Sequence, residues 1–201
     1  MAISKQRARR DADERSASWA GVTTLDAFLA LPEEKPALEF FHGSVSQKVS
    51  PKSYHGGVQF ELGRLLYESA GPGRLVRVFT ETRATFGGES LVPDLVLYLT
   101  ERIPRNADGS MVDDFEIPPD LAVEIISPEQ TLGAQRERCR WYVDNGVSVA
   151  LFVIPGSATV EVFRPGQLTV ALRGDARVDL SDIVDGLGFV VADLFAVLDL
   201  D

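Results

Sequence analysis

Two acidic side chains interrupt apolar segments of this chain at positions where a carboxylate is costly to bury. Asp94 lies within the segment 91–99, and Glu124 lies within the segment 121–128. Continuous apolar runs of this length are typical of strands that are buried on both faces of a sheet. A buried carboxylate needs a metal ion, a cation or hydrogen bonds to offset its desolvation. Two such acids in neighbouring strands therefore predict a shared site.

The chemistry of such a pair depends on what the two carboxylates bind. Adjacent strands lie about 4.8 Å apart, so the two side chains can hold one divalent ion. Oxygen ligands favour Mg²⁺ or Mn²⁺, and the sequence has no Cys/His cluster at zinc spacing. A metal held in this way supports phosphodiester hydrolysis. A carboxylate pair can also cleave glycosides. The aromatic content of only 8% argues against this function, because few aromatic side chains are available to bind a sugar.

Glu39 and His55 are two further candidates for the same site. Glu39 has apolar neighbours in the segment 38–41, so it is either a buried functional acid or the water-facing residue of an alternating strand. His55 lies in the first turn of a predicted helix, and the following Gly56 and Gly57 allow close approach of a ligand. A lone histidine is more often structural, so both interpretations of His55 remain open.

The elements that position these residues follow from periodicity, caps and turn signals. Helices are predicted over 23–31, 54–69, 131–145 and 189–198, with Thr24 and Ser53 as caps of the first two. Strands are predicted in the segments 38–41, 44–49, 74–86, 91–99, 121–128, 147–154, 159–163 and 168–172. A turn at 87–90 and an exposed loop over 101–119 separate some of them. This order predicts an α/β fold of the α+β kind, in which helices flank a mixed sheet.

Length and composition narrow the class of protein. The 201 residues suffice for one domain, predicted over 23–201, after a disordered arm over 1–22. The single cysteine, Cys139, excludes a disulfide framework and predicts a cytoplasmic location, and no segment is long enough for a membrane span. The net charge of −10 repels phosphate backbones on average. Nucleic-acid binding would therefore need a local basic patch or acids neutralised by a metal.

The segments around the two acids belong to an ordered set of motifs. Val92–Val96 contains Asp94, Ala122–Pro128 contains Glu124, and a helix then runs to Tyr142 and Asn145–Val147. This set resembles the Uma-two family of restriction-endonuclease-like proteins, within the PD-(D/E)XK nuclease superfamily. The resemblance spans residues 24–197 and includes Leu38–Glu39, Gly43, His55 and Gly186–Phe189.

The resemblance implies a Mg²⁺-dependent DNA endonuclease with a restriction-endonuclease-like core, acting as a homodimer. Asp94 and Glu124 would hold the metal, Glu39 would be a further acid, and His55 an accessory polar group. The superfamily lysine two residues after the second acid is absent, because position 126 is Ile. Relatives place a lysine on the following helix, where this chain has Arg138.

The replacement of that lysine leaves two interpretations. An arginine can clamp a phosphate with two donors, but it does not lose a proton to act as a base. Arg138 is therefore expected either to bind the scissile phosphate or only to pair with an acid. In the second case the chain would be a catalytically impaired nucleic-acid or protein binding module.

Overall fold

The computed structural model describes residues 19–73 and 75–200. These residues form helices and strands in the predicted order, with the predicted mixed-sheet architecture. The helices are α1 Leu25–Leu29, α2 Ser53–Ser69, α3 Leu132–Asp144 and α4 Val191–Phe195, with 3₁₀ turns at Pro155–Ser157 and Ala196–Leu198. The strands are β1 Leu38–Phe41, β2 Ser44–Gln47, β3 Val76–Thr80, β4 Ala84–Phe86, β5 Glu89–Leu91, β6 Leu95–Leu99, β7 Leu121–Ile125, β8 Val149–Ile154, β9 Thr159–Phe163, β10 Val170–Arg173, β11 Arg177–Asp179 and β12 Gly188–Val190.

The central sheet has six strands in the order β10-β9-β8-β7-β6-β3. β6 and β7 are antiparallel neighbours, with Leu95 opposite Val123. β7 and β8 are parallel, and α3 forms the crossover between them. The two acid-bearing segments thus contribute adjacent strands at the middle of the sheet, as their apolar composition predicts.

Helices cover both faces of the central sheet at β7 and β8, which explains why these two strands are almost entirely apolar. One face packs against α2 and α4 through alternate residues such as Leu97 and Val123. The other face packs against α3 through Ala122, Phe152 and Tyr142. Neither β6 nor β7 has a water-exposed side, so polar groups on these strands must find partners within the protein.

The N-terminal hairpin lies in a second sheet of order β2-β1-β5-β4. Gly87 and Gly88 form the two-residue turn between β4 and β5, with φ of 59° and 81°. Positive φ at both positions is the requirement of a type I′ hairpin turn, which favours glycine. This sheet brings β1, and the residues that follow β2, beside the start of β6.

Several details differ from the sequence prediction. Asp94 lies in a bend before β6 rather than inside a strand. Ser53 is the first residue of α2, and Lys52 is the N-cap without a side-chain hydrogen bond. The hairpin of β11 and β12 was not predicted, because Gly and Asp residues dominate its sequence.

Other predictions agree with the described structure, and one expectation falls mostly outside it. Thr24 caps α1 by accepting a hydrogen bond from the amide of Ala27. The predicted arm over 1–22 lies largely outside the described residues; within them, Trp19 packs against Phe28 and Phe40. None of the described helices is both long and apolar enough to cross a membrane.

Candidate active site

The strand register brings Asp94 and Glu124 to the same place in the sheet. Leu95 is paired with Val123, and continuing this antiparallel register by one residue sets Asp94 opposite Glu124. Directly opposed residues present their side chains on one face of a sheet. Both acids are buried, with 2% and 3% of their surface exposed. Their carboxylates nevertheless bind different partners.

The carboxylate of Asp94 is held on both oxygens. Its Oδ2 accepts a hydrogen bond of 2.6 Å from the amide of Ile125 on β7. Its Oδ1 lies 2.6 Å from Nζ of Lys48 and 3.3 Å from Nε2 of His55. Burial alone would raise the pKa of Asp94, but contact with His55 and the charge of Lys48 bring that pKa below its usual value.

Lys48 is a site residue that the sequence analysis missed. It follows β2, is 9% exposed, and also places Nζ 2.9 Å from Oε2 of Glu81. Burial lowers its pKa, but Asp94, Glu124 and Glu81 outweigh that effect, so the pKa lies well above the usual lysine value. Lysines are usually exposed at strand ends, so nothing in the local sequence indicated this burial.

Glu81 is the second missed residue, and it lies at the rim of the site. Its side chain is 41% exposed, and its backbone has a φ of 51°, which is uncommon for a residue other than glycine. Its amide donates a 3.3 Å hydrogen bond to the carbonyl of Asp94, and Gln59 donates to its Oε1 over 3.1 Å. Strained backbone of this kind is enriched at functional sites.

The carboxylate of Glu124 faces α3. Tyr142 donates a 2.6 Å hydrogen bond to Oε1 of Glu124, and Arg138 Nη1 lies 3.5 Å from the same oxygen. Burial raises the pKa of Glu124 to about 7; the charge of Asp94 adds to this rise, while Arg138 and Lys48 oppose it.

Arg138 joins Glu124 to Glu39. Its Nη1 and Nη2 donate to Oε1 and Oε2 of Glu39 over 2.7 Å and 2.9 Å, in a bidentate arrangement. Oε1 of Glu39 also accepts a 2.8 Å hydrogen bond from the amide of Val92. Glu39 is only 3% exposed, so the interpretation of Glu39 as a water-facing strand residue is wrong.

His55 lies in the first turn of α2, as predicted, and is 6% exposed. Its Nδ1 lies 3.4 Å from Oγ of Ser127. Its Nε2 lies 3.3 Å from Asp94 Oδ1, is buried, and has no hydrogen bond to another described residue. A buried ring nitrogen without a hydrogen bond is costly unless another group binds it.

The residues of this site suit a divalent cation. His55, Glu81 and Asp94 offer ligand atoms that all lie within 4.8 Å of one another. Among the described residues, this is the only group of three or more His, Cys, Asp or Glu side chains that are close enough to hold a metal ion. The wider site contains four carboxylates, from Glu39, Glu81, Asp94 and Glu124, but two permanent cations, from Lys48 and Arg138. Two negative charges are therefore uncompensated when all four acids are ionised. Of the two acids expected to hold the metal, Asp94 belongs to this cluster and Glu124 does not, because the Glu124 carboxylate binds Tyr142 and Arg138 instead.

Two clefts reach the site from the surface. One, of about 440 Å³, has Lys48 and Glu81 in its lining. The other, of about 520 Å³, is lined by His55 together with Tyr54 and Ile126. Lys35 borders the first cleft and Lys52 the second. Three of the four lysines in the chain therefore lie at this site, although the net charge of the chain is −10.

The Tyr142 hydroxyl is expected to contribute measurably to stability. Tyr142→Phe removes the donor to a fully enclosed carboxylate oxygen, and an unsatisfied buried acceptor costs about 1–3 kcal/mol. A loss of that size lowers the melting temperature of a domain of this length by several degrees, at about 2–4 °C per kcal/mol. Scanning calorimetry of the two proteins measures it, with Tyr54→Phe as the control because Tyr54 is 65% exposed. Equal melting temperatures for Tyr142→Phe and the wild type would contradict this account of the hydrogen bond.

Comparisons with known proteins identify the family and the fold of this chain. The Uma2 family, described as "Putative restriction endonuclease", matches residues 25–193. The chain is similar to a crystal structure titled as a putative nuclease belonging to DUF820 from Anabaena variabilis ATCC 29413. The identity is 35%, the TM-score is 0.83, and the match covers 88% of this chain and 99% of the other.

A second structural match is much weaker. The chain matches part of a cryo-electron microscopy structure of a DrdV–DNA complex at 14% identity and a TM-score of 0.32, over 74% of this chain and 14% of the other. No curated protein matches the sequence. The family match alone covers most of the chain and includes Glu39, His55, Glu81, Asp94, Glu124 and Arg138. The chain therefore belongs to the Uma2 family, and its core has the restriction-endonuclease-like fold.

Proposed function

We propose that this chain is a divalent-metal-dependent endonuclease that hydrolyses phosphodiester bonds in DNA. The observation that carries the proposal is the excess of buried negative charge around Asp94 and Glu124, at the centre of a nuclease-family fold. Buried carboxylates without matching cations are unstable unless a metal ion or protons neutralise them. The raised pKa of Glu124 is the consequence expected in the metal-free protein.

Asp94 and Glu124 would hold Mg²⁺ or Mn²⁺, with His55 and Glu81 as additional ligands. A bound divalent cation supplies polarisation of the phosphodiester and a water of lowered pKa. Because imidazole is a softer ligand than carboxylate, participation of His55 favours Mn²⁺ over Mg²⁺. Mn²⁺ is therefore the ion to use first in binding measurements.

The other site residues position these ligands. Tyr142 fixes the carboxylate of Glu124 by donating to Oε1, and the amide of Ile125 fixes that of Asp94. Arg138 is engaged by Glu39 through both terminal nitrogens, so its main role is to orient Glu39 and add positive charge beside Glu124. Glu39 in turn binds the amide of Val92, directly before the Pro93–Asp94 dipeptide.

The alternative function is a binding module that has lost cleavage. It is favoured by the net charge of −10 and by Arg138, which stands where relatives are expected to have a lysine. Both versions of the proposal include the cytoplasmic location inferred from the single cysteine and the homodimer implied by the resemblance. Cleavage assays separate the two.

We expect the purified protein to cleave plasmid or single-stranded DNA with Mn²⁺ or Mg²⁺ and not with EDTA. Glu124→Gln should reduce the rate at least about 100-fold, since it removes a charge at the reacting centre. Glu116→Gln is the matched control, because Glu116 lies exposed in the loop over 101–119. An RNA substrate of the same sequence tests the choice of nucleic acid. DNA binding without cleavage under any of these conditions would favour the binding module.

A further inference from the structure

The site contains a lysine that reaches it from an unexpected direction. A lysine is expected either two residues after Glu124 or on the following helix, but these positions are occupied by Ile126 and Arg138. Lys48 instead enters from the end of the N-terminal hairpin, beyond β2. Its side chain is 9% exposed, so it is a component of the interior rather than of the surface.

The ammonium group of Lys48 is held by three oxygens. Nζ lies 2.6 Å from Oδ1 of Asp94 and 2.9 Å from Oε2 of Glu81. It also donates a 2.7 Å hydrogen bond to the carbonyl of Val92. The ammonium group is thus a buried cation with one hydrogen bond to a carbonyl and two ion pairs to carboxylates.

Two of these oxygens belong to the candidate metal ligands. The cluster that offers ligand atoms to a cation consists of His55, Glu81 and Asp94, and Lys48 contacts two of the three. An ammonium ion and a divalent cation cannot both bind the same carboxylates at full strength, because like charges at this separation repel. The two cations must therefore compete or rearrange.

We propose that Lys48 supplies the lysine of this nuclease site, and that its ammonium occupies the cation position until a divalent metal displaces it toward the substrate phosphate. Lysine suits this exchange because its charge is compact and lies on a flexible four-carbon stem. The cleft of about 440 Å³ that has Lys48 and Glu81 in its lining gives a phosphate access to the displaced ammonium. The inference rests on the proposed function, but its first test does not require cleavage.

A purely structural lysine would behave in the opposite way. If Lys48 only fastened the hairpin to Asp94, its removal would loosen the carboxylates and weaken metal binding. If Lys48 competes with the metal, its removal frees two ligands and strengthens metal binding. The sign of the change in Mn²⁺ affinity therefore distinguishes the two roles.

The experiment compares the wild type with Lys48→Met by titration calorimetry with Mn²⁺ and by plasmid cleavage. We expect Lys48→Met to bind Mn²⁺ about tenfold more tightly, because the substitution removes a positive charge that lies a few ångströms from the ligands and repels the metal ion. We also expect cleavage to fall at least about 100-fold, since the phosphate loses a charge partner. Arg105→Met is the control, because it removes one positive charge from the exposed loop.

A second variant keeps the inference testable if Lys48→Met folds poorly. Lys48→Gln retains a donor for the carbonyl of Val92 but removes the charge, and it should show the same two changes. Unchanged or weaker Mn²⁺ binding in the folded variant would overturn the exchange of cations, and undiminished cleavage would overturn the role at the phosphate. A wild type that never cleaves, with tighter Mn²⁺ binding in the variant, would overturn the proposed function and still support the exchange.

Discussion

Asp94→Asn is expected to abolish both metal binding and cleavage. Asp94 contacts Lys48 and His55 through Oδ1 and belongs to the ligand cluster with Glu81. Loss of a residue that only orients a ligand already costs about 10–100-fold in affinity, so loss of a ligand carboxylate should cost at least about 100-fold. Titration calorimetry with Mn²⁺ measures the binding, and the plasmid assay measures the rate. Of all substitutions in the chain, we expect this one to have the largest effect on activity.

Asparagine is the informative replacement at this position. It preserves a carbonyl oxygen that can accept from the amide of Ile125, whereas Asp94→Ala would also leave that amide unsatisfied. Asp113→Asn, in the exposed loop, provides the control for the loss of one acid. Equal Mn²⁺ affinity in Asp94→Asn and the wild type would remove the metal site at this position, and with it the nuclease proposal.

Arg138→Met is expected to have the largest effect on stability. The guanidinium neutralises Glu39, which is 3% exposed, and lies 3.5 Å from the buried Glu124. Removal of one partner from a buried ion pair leaves an uncompensated charge and costs about 3–5 kcal/mol. That is a large share of the total stability of about 5–15 kcal/mol for a typical domain. Urea denaturation of the metal-free protein measures the free energy of unfolding.

Arg138→Lys separates charge from geometry in the same experiment. A lysine keeps the charge but loses the bidentate contact with Glu39, so we expect an intermediate free energy of unfolding and no gain in cleavage. Arg64→Met, on the exposed face of α2, is the control: it removes the exposed ion pairs with Glu61 and Glu68 and should cost at most about 1 kcal/mol. A clear gain in cleavage by Arg138→Lys would instead support the interpretation that the wild type is impaired at position 138. An unfolding free energy of Arg138→Met equal to that of the wild type would refute the ion-pair account.

Much of the fold followed from local sequence signals. Apolar runs around Asp94 and Glu124 predicted two buried neighbouring strands, and β6 and β7 are adjacent in the central sheet. The glycine pair at 87–88 predicted a hairpin turn, which both positive φ values confirm. These features are local because strand burial and turn type depend mainly on residues within a few positions.

The boundary of β6 illustrates a limit of the apolar pattern. The run from Leu91 to Leu99 reads as one strand, but the chain bends at Asp94 before β6 begins. The bend lets the Asp94 carboxylate reach the amide of Ile125 and the ammonium of Lys48. A hydrophobicity pattern does not contain this information, because hydrogen bonds to other segments decide where the strand starts.

The sequence by itself therefore determined that two acids lie buried beside or within adjacent strands, since an apolar run places any carboxylate within it in a low-dielectric setting. Only the tertiary structure decided which charges face those acids. Arg138 pairs with Glu39 across 99 positions, and Lys48 reaches Asp94 from the end of a separate hairpin. Such contacts depend on how the two sheets and α3 pack together, and Coulomb attraction acts between groups that are close in space regardless of their separation in sequence.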